Sequence, residues 1–167
     1  SVVVAGGVWS RLFLGNTDVQ LPQLKLIAAA ARIENPIEGP RLPVGGATFG
    51  LRKRMDGGYT LGPRNINIAP IVPDSFRFFN DFFPVLKQSW RELRLSFGSD
   101  FFTDIQMPRR WELDQSTPFE EMRMLNPDPS EWMIRKSFEG LKSTLPDFVD
   151  ARITHRWGGV IDATPDG

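Results

Sequence analysis

The sequence predicts an α+β fold, in which an antiparallel or mixed sheet is covered by helices on one face. Three observations lead there. Strands and helices do not alternate regularly, as a doubly wound sheet requires. A glycine-turn hairpin sits in the first half of the chain, and two amphipathic helices then follow before a last strand returns.

Ser1 to Ala5 is a β-branched apolar run stopped by Gly6-Gly7, which reads as a buried strand ending in a tight turn. A buried strand needs neighbours on both edges, so the chain is expected to be part of something longer. Trp9 to Leu14 is compatible with a short helix. Leu24 to Ile33 reads as a strand because Pro22 precedes it and Asn35-Pro36 closes it, although the alanines at 28–31 would also suit a helix. Small side chains there would let something flat approach the sheet.

Ala47 to Met55 and Tyr59 to Leu61 form a predicted hairpin around Asp56-Gly57-Gly58, where glycine supplies the positive φ that primed turns need. The chain then reads as irregular until Asp74. Phe82, Leu86, Trp90, Leu93 and Phe97 recur at helical spacing and predict a helix over 81–97, with Pro84 in its first turn, packed on a core. A second short helix is expected near the start of 98–120. The next runs over 129–145, with Asp128 as N-cap, Pro129 at its first position and Glu131 completing a capping box. Ile134, Phe138, Leu141 and Leu145 supply its buried face and Pro146 ends it. Val149 to Ile161 reads as one strand, or as two interrupted at Gly158-Gly159.

Composition narrows the function. Twenty basic and twenty acidic side chains cancel, so no overall field attracts a nucleic acid or an anionic membrane. No apolar run is long enough to span a bilayer. The absence of cysteine removes disulfides and thiolate chemistry and suits the cytoplasm, and the single histidine, His155, removes any histidine cluster for a metal. No metal is expected. The dinucleotide turn G-x-G-x-x-G, the phosphate loop and the zinc and serine-hydrolase motifs are all missing.

Two segments have a specific look. Val2-Val3-Val4-Ala5-Gly6-Gly7-Val8-Trp9-Ser10 resembles the strand and turn by which glycine oxidase and D-amino-acid oxidase enzymes return to their flavin domain. Trp157-Gly158-Gly159 with Thr164-Pro165-Asp166-Gly167 resembles that family's C-terminal flavin-contacting segment. In the family the two bracket the substrate domain in this order, so the resemblance covers nearly the whole chain in arrangement, but only sixteen positions in motif.

The resemblance implies a fragment of an FAD-dependent oxidoreductase that oxidises the C–N bond of an amine or amino acid. Residues 1–14 would be a remnant of the FAD-binding domain, 15–156 the substrate-binding domain, and 157–167 the return segment. The glycine-rich βαβ unit would precede the chain, so the fragment is expected to be inactive and free of FAD. Gly6, Gly7, Trp9, Gly158, Gly159, Asp166 and Gly167 would lie near the cofactor. As residues alone, the glycine pairs read equally as a turn and a β-bulge.

A substrate carboxylate would want an arginine fork, for which Arg52 and Arg54 on one strand face, with Tyr59 across the turn, are the candidates; a solvated strand face is the plainer reading. Some relatives carry an arginine where this chain has Ile161, which departs from the pattern for carboxylate substrates. His155 is a lesser candidate for holding substrate. The phenylalanines of 76–83 and 101–102 read as core, or as a subunit contact in a homo-oligomer. The competing reading is a stand-alone α+β ligand-binding or oligomerisation domain.

Overall fold

The computed structural model describes residues 2–112 and 114–166. The fold is α+β, as its element order requires. Helices are α1 (Ser10–Gly15), α2 (Pro73–Arg77), α3 (Phe79–Ser89), α4 (Ser99–Gln106), α5 (Pro118–Glu121) and α6 (Glu131–Thr144). Strands are β1 (Leu24–Glu34), β2 (Val44–Gly45), β3 (Phe49–Lys53), β4 (Tyr59–Pro63), β5 (Asn67–Pro70), β6 (Leu93–Ser96) and β7 (Arg152–Ala163). Two compact units emerge. One comprises residues 1–26, 68–125 and 160–167; the other comprises 27–67 and 126–159.

The second unit is built on the β2-β3-β4-β1 arrangement, each neighbouring pair antiparallel. Register sets Leu51 opposite Leu61 and Lys53 opposite Tyr59, so Phe49, Leu51, Tyr59 and Leu61 share one face. Helix α6 lays Ile134 and Leu141 into the core, and Leu141 is fully buried beside Phe148. Close packing of α6 on the hairpin depends on Gly140, whose added Cβ would fall 2.1 Å from the Thr48 hydroxyl. Next to it the Ser137 hydroxyl donates to the Thr48 carbonyl at 3.0 Å.

The first unit is organised around α1, α2 and the β5–β6 strands, with Leu12, Val72 and Phe78 buried. The Ile71 N–H donates to the Ser96 carbonyl at 2.7 Å. Helix α2 starts cleanly because the Ser75 hydroxyl accepts from the Val72 N–H at 3.1 Å and Pro73 needs no donor there.

Several expectations are corrected. Residues 2–6 form no strand, and Val2 and Val3 are both 88% exposed: no strand among the described residues offers this run a hydrogen-bonding edge. The helix expected over 81–97 ends at Ser89, and Leu93 and Leu95 belong to β6. Sheet pairing at Ser96 outweighs the helical spacing of the apolar residues. Pro84 therefore lies inside α3 rather than in its first turn, and no α3 side chain is fully buried.

Helix α6 begins two residues later than the spacing suggests. Its N-cap is Ser130, which accepts from the Met133 N–H at 3.4 Å, so Asp128 is not the cap. The hairpin turn is a five-residue loop with positive φ at Gly57 alone. Strand β7 runs uninterrupted through Gly158-Gly159, and β5, in a stretch read as irregular, adds a strand.

Candidate functional site

The residues around Gly6-Gly7 take their geometry from a 3-10 turn, Gly7–Trp9, that leads into α1. Gly7 has φ +56°, a backbone that side chains resist, and nothing lies within 4 Å of where its Cβ would be. The Gly6 N–H donates to the Ser10 hydroxyl at 3.1 Å. Trp9 stands edge-on to Phe119, 5.5 Å between ring centres, and Trp111 meets the same ring at 5.2 Å.

Gln23, just before β1, is buried and completely used. Its Oε1 accepts from the Arg11 N–H at 3.1 Å, and its Nε2 donates to the Gly7 carbonyl at 3.0 Å and to Asp162 Oδ2 at 2.9 Å. A residue not singled out in the sequence thus joins the turn at Gly7 to Asp162, near the end of β7.

On β7, the two glycines differ. A Cβ on Gly158 would fall 2.1 Å from the Pro127 carbonyl oxygen, whereas Gly159 has nothing within 4 Å. Gly158 therefore answers to the backbone of 127–128, and Gly159 keeps an open face. His155 stacks on Trp157 with ring centres 5.9 Å apart. Asp166 is exposed, and a hydrogen bond from the Thr164 side chain holds its carboxyl below the usual range. Gly167 lies outside the described residues.

The proposed carboxylate fork is not assembled. Arg52 is exposed on the face of β3 opposite Tyr59. Arg54 Nε is held by both Asp56 carboxylate oxygens at 3.2 Å. Tyr59 is a core residue: its hydroxyl accepts from the Gly39 N–H at 2.8 Å and its ring meets Phe148 edge-on. Arg64, just after β4, has no carboxylate partner among the described residues, and its guanidinium lies across Gly45.

The first unit also holds an arginine cluster. Arg11 Nη2 is 2.6 Å from Asp74, a buried carboxylate that Arg109 approaches at 3.6 Å on its other oxygen. Burial pushes the Arg11 guanidinium below its ordinary pKa against the opposing pull of Asp74. Lys25 and Asp104 pair at 2.5 Å nearby. No group of side chains among the described residues could hold a metal ion, and no helix there is long and apolar enough to cross a membrane.

A cofactor with a flat ring fits some of this and not all. Gly7 and Gly159 are open to close approach, each within its own unit, while Gly158 is already filled by backbone. Trp9, half-buried, closes the turn that begins at Gly7.

Comparison with solved structures gives L-amino acid deaminases among the neighbours. The chain is similar to the L-amino acid deaminase of Proteus myxofaciens, solved in complex with anthranilate, with TM-score 0.90 and 35% identity over 99% of this chain. It is also similar to the L-amino acid deaminase of Proteus vulgaris, with TM-score 0.87 and 30% identity over 99% of this chain. The chain spans 37% and 39% of the length of those two proteins. A form of the Proteus vulgaris protein lacking its specific insertion sequence shares the fold at TM-score 0.51 and 22% identity. No protein-family model and no curated protein matches the chain.

Proposed function

We propose that this chain is a portion of an FAD-dependent L-amino acid deaminase, carrying mainly its substrate-binding half. One observation bears most of the weight: the fold follows an L-amino acid deaminase over 99% of this chain at 35% identity. The flanking stretches that resemble flavin-contacting segments of the glycine oxidase and D-amino-acid oxidase family point the same way.

The reaction removes two electrons and two protons from the Cα–N bond of an amino acid. The resulting imine takes up water and gives a 2-oxo acid and ammonia. Flavin, where bound, would supply the hydride acceptor, and an oxidant of the oxygen or quinone class would regenerate it. What this chain contributes is positioning, which dominates when no acid or base group has to be recruited. Within the first unit Gly7 and Trp9 would face the cofactor, with Gly6 shaping the backbone beside them; within the second unit Gly159 offers an open face and Gly158 is held by the backbone of 127–128. Gln23 would hold the Gly7 turn and Asp162 in place.

The substrate carboxylate calls for a guanidinium free of other carboxylates. Among the described residues Arg52 and Arg64 meet that condition, whereas Arg54 is committed to Asp56. Because the sequence holds no glycine-rich dinucleotide turn, these residues by themselves would not retain FAD, and the isolated 167-residue chain would be inactive.

The test is to purify the full-length protein, record its spectrum and assay 2-oxo acid release from L-amino acids. Flavin absorbance together with oxo acid formation is expected. A colourless protein that stays colourless after reconstitution with FAD, and releases no oxo acid, would favour a stand-alone ligand-binding domain.

A further inference from the structure

A cleft of about 310 Å³ opens within the first unit between α1 and the loop after it, the end of α2, and the segment that follows α4. Its charged lining is Arg11, Arg77, Arg109, Arg110 and Asp18. Four guanidinium groups from three separate stretches of chain thus converge in a protein whose overall charge is zero.

The carboxylates do not neutralise them. Asp74 is shared by Arg11 and Arg109, and Asp18 is hydrogen-bonded by Arg110. Arg77 has no carboxylate partner among the described residues; its guanidinium lies 5.9 Å from the Phe78 ring centre. Two acids against four bases leave two positive charges in excess. The floor is apolar, formed by Leu12, Leu21 and Phe78.

We propose that this cleft binds a small organic dianion, a phosphate monoester or a dicarboxylate, with its apolar part on Leu12, Leu21 and Phe78. Charge and shape both argue for it. The two uncompensated charges match a dianion and would over-compensate a monocarboxylate. Guanidinium forks suit planar and tetrahedral oxyanions, and the volume falls at the lower end of small-molecule pockets. Arg110 is available because its pair with Asp18 is solvent-exposed on both sides, at 63% and 78%, and such pairs are weak. An incoming oxyanion replaces Asp18 on Arg110 and finds Arg77 free. This site rests on no part of the flavin reading.

The experiment is isothermal titration of the full-length protein with phenyl phosphate and with phthalate, using benzoate as the singly charged control with the same ring. Saturable 1:1 binding of at least one dianion is expected, about tenfold or more tighter than benzoate and weakening as salt rises. Arg77→Gln should weaken it by about tenfold or more. Asp18→Asn, which removes the competitor for Arg110, should tighten it, a gain that a misfolded variant would not give. Preference for one dianion identifies the ligand class. Absence of saturable binding, equal affinity for benzoate, an unchanged Kd in Arg77→Gln, or displacement of the dianion by FAD would each overturn the assignment.

Discussion

The side-chain amide of Gln23 donates at once to the Gly7 carbonyl, at 3.0 Å, and to the Asp162 carboxylate, at 2.9 Å. Its carbonyl oxygen also takes the Arg11 N–H, so no part of this buried amide is idle. Replacing Gln23 with leucine keeps the approximate volume and leaves three partners without it. The expected loss is about 2–3 kcal/mol, since three hydrogen bonds worth about 1 kcal/mol each are lost together. In thermal unfolding this corresponds to a Tm lower by roughly 4–10 °C. A Gln23→Leu protein as stable as the parent would show that the three bonds do not hold the turn.

Gly158 and Gly159 should separate sharply. Gly158→Ala drives a Cβ to 2.1 Å from the Pro127 carbonyl, and backbone on both sides resists the shift. The expected cost is about 2–3 kcal/mol, typical of overpacking. Gly159→Ala meets nothing within 4 Å and should change stability by less than about 0.5 kcal/mol. Denaturant midpoints of the two variants measured side by side decide the matter.

Asp74 answers two arginines from a buried position. Asp74→Ala should cost about 3–5 kcal/mol, because it leaves the Arg11 guanidinium poorly solvated and unpaired. The double variant Arg11→Met with Asp74→Ala should recover part of that loss, as it removes the orphaned charge as well. A double variant less stable than Asp74→Ala alone would contradict this account.

The Tyr59 hydroxyl makes one hydrogen bond, to the Gly39 N–H, while its ring is packed edge-on against Phe148. Tyr59→Phe is expected to cost only about 0.5–1.5 kcal/mol. Phe148→Ala should cost about 3–5 kcal/mol through the cavity it opens. If Tyr59 instead contacts substrate, Tyr59→Phe will alter KM for the amino acid by far more than its stability change implies.

On the proposed function, Arg52→Gln and Arg64→Gln in the full-length protein test the carboxylate contact. Loss of a charge-assisted hydrogen bond of about 1.5–3 kcal/mol raises KM roughly 10- to 100-fold with kcat little changed. Arg54→Gln should leave KM near its parent value, since that guanidinium is spent on Asp56. Steady-state kinetics on the three variants distinguish them.

Much of the fold could be read from residue order because its signals are local. The β3–β4 hairpin follows from the glycines of its turn and the alternation of Phe49, Leu51, Tyr59 and Leu61. The buried stripe of α6 follows from Ile134, Phe138 and Leu141. Where a distant partner decides the outcome, local pattern misleads. Leu93 continues a helical spacing, yet it lies in β6, the strand whose Ser96 carbonyl takes the Ile71 N–H. The valines at 2–4 have strand propensity but no ladder among the described residues.

The candidate site was legible only at its glycines. Nothing near Gln23 in sequence announces Asp162, and Arg77 carries no mark connecting it with Arg11 or with Arg109-Arg110. The open face of Gly159 and the filled face of Gly158 look identical as letters. The contrast depends on the backbone of Pro127 and Asp128, thirty residues earlier in the chain.

The division of the chain has a temporal consequence on the ribosome. Residues 27–67 and 126–159 form one unit, but 68–125 must be synthesised between them. The hairpin of Phe49, Leu51 and Leu61 therefore emerges before α6, the helix that covers it, exists. At elongation speeds of about 5–20 residues per second, that apolar surface waits roughly 4–17 s for its cover. Nascent chains stalled in that interval should be the ones most prone to aggregate or to engage a chaperone.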